Sequence, residues 1–408
     1  MRSLVRTPRL RFIAGADPGR KVTWLELFFD LIFVAAVAQV GEPLRDDYTI
    51  GGLVRYATLF ILVWWAWIGN SVFATRFNSD DGLQRLLTLV QMFAVAAMAA
   101  NASEALDSRS SAGFAAAYAA MRLVLVAQYW RARQIDCARA LATRYLAGHG
   151  VAAVFWLLSA FVPAPPRFVV WAVALALDLG TPWLAVRHNV EAPPDAAHLP
   201  ERFGLFTLIL LGESIIAVMQ GMKSQETWSV AAASSAFLGM AISFLMWWWY
   251  FDGASAAAEQ HVRTRAEAIR FHVTSYAHLP LYLGIAAAGA GIERVVHLGT
   301  ASELHGSDGL ILAAAIAVSM LSLTLIAAVG PARHSEQRRI AGHVAIALLV
   351  IGGGLMSTHW LPVALVIFLA ASCAAQLAIA LMNLTTKPEV SGMRFLAAHD
   401  PQTASHDA

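Results

Sequence analysis

The sequence predicts an all-α, polytopic transmembrane helical bundle of about twelve spans, and three observations predict it. Hydrophobic residues make up 58% of the 408 residues and charged residues only 14%, against roughly 25% charge in an ordinary soluble domain. So few charges cannot cover a water-facing surface, and the mean hydropathy is +0.58, so lipid must cover part of the chain. Apolar runs of about 20 residues, the length that crosses a roughly 30 Å hydrocarbon layer as a helix, recur along the sequence. The connections between them alternate between Lys/Arg-rich and Lys/Arg-poor, as the positive-inside rule requires.

The chain opens with a polar, basic tail over 1–21 that carries Arg2, Arg6, Arg9, Arg11, Arg20 and Lys21. No short apolar stretch with a small-residue cleavage site follows it, so the first span is expected to be retained. Neither end carries a lipidation motif. The spans lie at roughly 22–40, 52–73, 84–101, 111–130, 145–161 and 168–186, then 203–221, 230–251, 271–291, 309–329, 340–357 and 361–382. Only the turn around His359 to Pro362 separates the last two, so a count of eleven stays open. The organisation is a first half over 22–187, a connection over 188–202, a second half over 203–385 and a polar tail over 386–408 that is expected to be disordered. The connections are too short for a separate soluble domain.

With the first residue inside, the cytoplasmic segments collect 22 of the 29 Lys and Arg. The external segments hold Arg45, Arg109, Arg167, Lys223 and Arg294. The bias predicts a multi-pass protein of a bacterial inner membrane with both termini in the cytoplasm.

A net charge of +2 is too small to suggest a nucleic-acid partner. Cys137 falls in a basic loop and Cys373 in an apolar stretch, so neither a disulfide framework nor a cysteine metal site is readable. No HExxH pair, GxSxG elbow, Walker A loop or GxGxxG after a strand is present. No catalytic residue, metal or other cofactor is expected, and the run Gly352-Gly353-Gly354 reads as packing or a kink within a span.

Two places share a pattern. Asp30 precedes Trp64-Trp65 by 34 residues, Glu213 precedes Trp247-Trp248 by 34, and the offset between the copies is 183. Trp67 then corresponds to Tyr250. Six spans separate the copies, so they share one orientation, as in transporters built from parallel six-plus-six repeats.

Three segments carry a resemblance. They are Trp24-Leu25-Glu26-Leu27-Phe28-Phe29-Asp30-Leu31-Ile32-Phe33-Val34; then Glu201-Arg202-Phe203-Gly204-Leu205-Phe206 continuing to Leu211-Gly212-Glu213-Ser214; then Trp247-Trp248-Trp249-Tyr250-Phe251-Asp252 followed by Tyr276-Ala277-His278-Leu279-Pro280. In this order the chain resembles the low temperature requirement A family of bacterial membrane proteins. The resemblance implies a multi-span inner-membrane protein associated with growth in the cold. It supplies no substrate and no functional residues, which must be argued from the chain itself.

Charges at membrane depth cost roughly 2.5–3.5 kcal/mol each even on the lenient insertion scale, so they need partners, water or protonation. Glu26 and Asp30 are four apart and share a helix face; two nearby carboxylates suit a proton or cation site, and an ion pair between Asp30 and an arginine is the structural alternative. Glu213 falls near the middle of span 7 and is a candidate by depth, with a buried pair to Arg122 as its structural alternative. Its neighbour Gly212 permits close helix approach or a local break. Arg122 falls in mid-span 4 and Asp178 in mid-span 6. Arg122 requires an acidic partner that the sequence does not single out, and it reads as an ion-pair member or an anion or gating group. His272 and His278 could relay protons; the alternatives are that His272 snorkels at the cytoplasmic end of span 9 and that His278 hydrogen-bonds a neighbouring helix. Arg202 and Asp252 fall on one membrane side and are candidates to pair. The tryptophan clusters read as aromatic belt or packing rather than a ligand cage. Ser235, Gly239 and Ser243 form a small-residue face for close packing within the chain or between subunits of a homo-oligomer.

These features predict a proton- or cation-coupled secondary transporter of an unknown ion or small solute, with Asp30 and Glu213 facing a central cavity. The alternatives are a membrane scaffold or sensor in the cold-stress response, an intramembrane enzyme, and an ion channel, for which no filter motif is visible.

Overall fold

A computed structural model describes residues 8–10, 22–78, 81–107, 110–196, 198–225, 229–254, 262–299, 304, 307–329 and 336–382. The expected tails over 1–21 and 386–408 lie outside these residues, except for 8–10. Among the described residues the chain forms twelve helices long and apolar enough to cross a membrane. They are α1 (Trp24–Asp46), α2 (Ile50–Arg76), α3 (Gly82–Ala100), α4 (Ser111–Ala132), α5 (Arg139–Ser159) and α6 (Pro166–Leu184). Then follow α7 (His198–Lys223), α8 (Val230–Trp248), α9 (Arg265–Leu298), α10 (Asp308–Ala328), α11 (Glu336–Met356) and α12 (Pro362–Leu381). The turn at Ser357–His359 does separate the last two helices. α8 continues into a wider turn over Trp249–Ala254. A two-residue antiparallel pairing of Arg9–Leu10 with Phe77–Asn78 is the strand structure among the described residues.

Local chemistry sets the helix starts. Thr23 and Glu26 form a capping box on α1, as Thr264 and Glu267 do on α9. Thr49, Asp81 and Ser229 cap α2, α3 and α8 through their side-chain oxygens. Pro166 and Pro362 open α6 and α12, where a missing N–H costs nothing. Gly299 ends α9 at φ +55°, a backbone conformation that favours glycine. Several helices outrun the apolar stretch that announces them. α9 is 34 residues long, and α2 and α7 take in Arg76 and Arg202, which the charge pattern alone puts in loops.

α9 is the central element: it packs along α7 and α10 and touches α1, α2, α8 and α12. In the first half α1 packs on α2 and α3, and α3, α4, α5 and α6 follow one against the next. In the second half α7 packs on α8 and α9, and α9, α10, α11 and α12 follow in the same way, with α8 also against α12. Large apolar side chains such as Phe93, Phe161, Phe237 and Leu348 stand on the outer surface, where lipid rather than water is their solvent.

Close approach is concentrated at a few glycines. A methyl group at Gly284 of α9 would stand 2.6 Å from the Ala315 carbonyl oxygen of α10, and one at Gly354 of α11 would stand 2.5 Å from Ala313 Cβ. The face of Ser235, Gly239 and Ser243 is buried within the chain, and a methyl at Gly239 would overlap Ile292 of α9. Gly353 faces Phe368, so the triple glycine is a packing feature. Gly212 has open space where its Cβ would point, which corrects the expectation that it permits close approach.

Candidate functional site

The three segments that carry the family resemblance, distant in sequence, meet where α1 begins. Asp30 of α1 and Arg202 of α7 form a buried ion pair through Oδ1 and Nη2, with Nε reaching Oδ2 at 3.3 Å. Trp67 of α2 donates from Nε1 to Asp30 Oδ1 at 2.8 Å, and its ring lies 5.6 Å from the Arg202 guanidinium carbon. Phe203, next to Arg202, stacks on His278 of α9 at 3.9 Å and 7°. His278 Nε2 stands 3.2 Å from the Tyr250 hydroxyl, and its Nδ1 lies 2.8 Å from the Thr274 carbonyl, to which it donates. Gly204 faces Phe251, 3.2 Å from where its Cβ would be. Arg202 therefore pairs with Asp30 rather than Asp252, which instead accepts from Trp248 Nε1 at 2.6 Å.

Glu26 stays at the helix start, accepting from the Thr23 backbone at 2.8 Å and lying 3.2 Å from His198 Nε2. Glu26 and Asp30 thus have separate partners, His198 and Arg202, and do not share one. An Asp30→Asn change keeps an oxygen for Trp67 but takes the counter-charge from Arg202. It is expected to cost about 1–3 kcal/mol, read as a lower unfolding temperature of the purified protein than for Glu26→Gln.

A second cluster lies at mid-helix depth in α4, α5 and α6. Arg122 Nε is 2.9 Å from Asp178 Oδ2, and His149 Nδ1 is 2.8 Å from Asp178 Oδ1, all three side chains being buried. Arg122 also donates to the Tyr118 hydroxyl at 2.7 Å and to the Trp65 carbonyl at 3.2 Å. Asp178 is the acidic partner of Arg122, and Glu213 is not. Two glycines make the cluster reachable. A methyl at Gly148 would overlap Thr181, so Gly148 lets α5 approach α6 and bring His149 onto Asp178. A methyl at Gly69 of α2 would stand 2.8 Å from Arg122 Nη1.

His149 Nε2 is buried without a hydrogen-bond partner. His149 lines a cavity of about 30 Å³ with Trp65, Tyr145, His272 and Tyr276, which exceeds the space one water needs. With Nδ1–H donated to Asp178, Nε2 is the nitrogen left to take a proton. His272 is buried on the opposite wall, its Nε2 2.9 Å from Asn189 Nδ2.

Glu213 lies apart from both clusters. It is half-buried in a groove with Arg45, Ser214, Gly289 and Ala286. Ser214 turns its hydroxyl to the Leu210 carbonyl at 3.1 Å. Trp64, Trp65 and Trp67 are packed in the core; Trp249 is buried while Trp247 is exposed. Among the described residues no group of three His, Cys, Asp or Glu is arranged to hold a metal ion.

Sequence reasoning missed His149, the buried Arg76 at the end of α2, and His343, which pairs with Gln376 between α11 and α12. A histidine between Gly148 and Gly150 inside an apolar run was the available signal for the first.

The family model for the bacterial low temperature requirement A protein matches residues 21–381. A protein of Rhizobium meliloti (strain 1021), described as uncharacterized, is 31% identical over 284 residues, which cover 66% of this chain and 68% of that protein. The match takes in α1 to α12 and both buried ion-pair clusters, and this multi-pass membrane chain belongs to the bacterial low temperature requirement A family.

Proposed function

We propose that the chain is a proton-coupled secondary transporter of the bacterial inner membrane, with His149 on Asp178 as the group that takes up and releases the proton. The observation that carries this reading is His149 itself: one nitrogen held by a buried carboxylate, the other unpartnered, on the wall of a cavity between α2, α5, α6 and α9. Protonation at Nε2 would turn the pair into an imidazolium–carboxylate and make it compete with Arg122, which holds the other oxygen, for the single charge of Asp178. A change in that competition can shift α4, α5 and α6 against one another, which is the physical content of coupling. Glu213, in its separate groove beside Arg45, is the second candidate coupling group.

The Lys/Arg distribution supports a cytoplasmic position for both termini. The six-plus-six repeat is supported by neighbour relations that recur in the two halves, α1 with α2 and α3 as α7 with α8 and α9. Of the two uses open to the Ser235–Ser243 face, packing within the chain is the one supported, since the face is buried and Gly239 lies against Ile292 of α9.

The test uses purified protein in liposomes, with internal pH followed by dye under imposed gradients of protons and a panel of small solutes. Wild type is expected to move protons with a solute, and His149→Gln to abolish this while its unfolding temperature stays near wild type. Unchanged proton movement in His149→Gln would sink the reading.

A further inference from the structure

Arginines buried in this bundle have an oxygen to answer each charge. Arg122 lies on Asp178, Arg202 on Asp30 and Arg131 on Asp81 at 2.5 Å. Arg167 donates to the Ser159 and Val162 carbonyls, both at 2.9 Å. Arg76, at the last position of α2, is fully buried and, like Arg167, has neutral oxygen partners, but fewer of them. Its hydrogen bond goes from Nη2 to the neutral Asn189 amide oxygen, while Nε and Nη1 have no partner. No described carboxylate is paired with it.

What surrounds Arg76 is a set of donors and ring faces. The guanidinium carbon is 5.6 Å from the centre of the Tyr145 ring and 6.0 Å from that of Phe271. The hydroxyls of Tyr129 and Tyr145 lie beside the guanidinium, buried and within its reach, and the two rings stack at 4.9 Å. Asn189 spends its amide N–H on His272 Nε2 at 2.9 Å. The guanidinium and two phenols therefore converge, with no carboxylate of the described residues among them. A buried charge without a counter-charge is costly, and the aromatic faces return part of that cost.

The cavity on which His149 opens shares Tyr145, Phe271 and His272 with this cluster, and its remaining wall is largely apolar, with Trp65, Val72 and Tyr276. We propose that Arg76, with the Tyr129 and Tyr145 hydroxyls, binds the carboxylate of a small monocarboxylate whose short apolar body lies in this cavity. Guanidinium and phenol donors satisfy carboxylate oxygens through charge-assisted bonds, and the apolar wall excludes multiply charged or strongly hydrated ions. This site is independent of whether the chain couples transport to protons.

Thermal unfolding of the full-length protein in detergent, at constant ionic strength, tests it with sodium formate, acetate and propionate as probes. Acetamide and propionamide serve as neutral isosteres, chloride as a simple anion, and phosphatidylglycerol as a lipid anion. Wild type is expected to show a saturable rise in unfolding temperature with a carboxylate and none with the amides. Arg76→Gln should lose that response and be no less stable than wild type without the probe, because it removes an unanswered buried charge. Tyr145→Phe keeps the ring stack and should raise the half-saturating concentration about tenfold or more, the loss expected of one hydrogen bond to a charged group. Tyr145→Phe and Tyr129→Phe decide the matter if Arg76→Gln does not accumulate. The inference is overturned if no carboxylate stabilises wild type, if chloride or phosphatidylglycerol does so equally or alone, or if the response survives unchanged in Arg76→Gln or in both tyrosine variants.

Discussion

Arg122→Met is expected to cost about 3–5 kcal/mol and to remove most folded protein from detergent extracts, because it leaves Asp178 ionised in the bundle interior with His149 as its remaining partner. The size follows from burial: both side chains of the pair are 0% exposed, so water cannot replace the lost contact. The same logic predicts that Asp178→Leu alone is as damaging, since the guanidinium then keeps only the Tyr118 hydroxyl and the Trp65 carbonyl. The double variant Arg122→Met/Asp178→Leu, which removes both charges, should recover much of the loss, as apolar replacement of a buried ion pair is often close to neutral. Unfolding temperatures of the four proteins form a double-mutant cycle. A double variant no more stable than the worse single variant would show that the cluster is held by contacts other than the ion pair. Such a variant would still lack the carboxylate that orients His149, so recovered folding without recovered proton movement would separate stability from the proposed coupling.

Gly284→Leu is the second change expected to have a large effect. The glycine lies where α9 and α10 run closest, and even a methyl group would stand 2.6 Å from the Ala315 carbonyl oxygen and overlap the Ser319 hydroxyl. Backbone cannot rotate out of the way as a side chain does, so the two helices must separate along their packed length. Overpacking of a well-packed core usually costs about 1–3 kcal/mol, and occasionally more; leucine here is expected at or beyond the upper end, with Gly284→Ala within it. Gly212→Ala is the control. Nothing stands within 4 Å of its added carbon, and alanine is the better helix former by up to about 1 kcal/mol. Fluorescence-detected size-exclusion profiles after a temperature series would rank the three. Equal loss in Gly212→Ala and Gly284→Ala would refute the assignment of the close approach to α9 and α10.

How much of this could be read beforehand depends on the kind of interaction. Helix number followed from run length, since an apolar stretch of about 20 residues has few alternatives in a bilayer, and even the turn around His359 to Pro362 proved to separate two helices. The cost of burying charge marked Asp30, Arg122 and Asp178 as residues that need partners. The partner of Arg122 was not legible, because Asp178 lies 56 positions away in sequence and meets it only after α4, α5 and α6 have packed. Arg76 and Arg202 were read as loop charges because they sit at the ends of apolar runs, whereas the helices extend past those runs and carry both side chains inward. Gly212 looked like a packing glycine by its neighbours, yet whether a glycine faces a helix or open space depends on rotation about the helix axis, which is set by contacts with other helices.

The sequence by itself determined the class of the protein, the count and order of its helices and its family, because these depend on local hydropathy and on short motifs. The tertiary structure alone decided that the three motif segments converge on the Asp30–Arg202 pair. It also decided that His149 rests on Asp178 beside a cavity, and that Arg76 is buried with no described carboxylate paired with it. These are long-range electrostatic and packing choices, in which each charge could have found several partners and the geometry of the assembled bundle selected one.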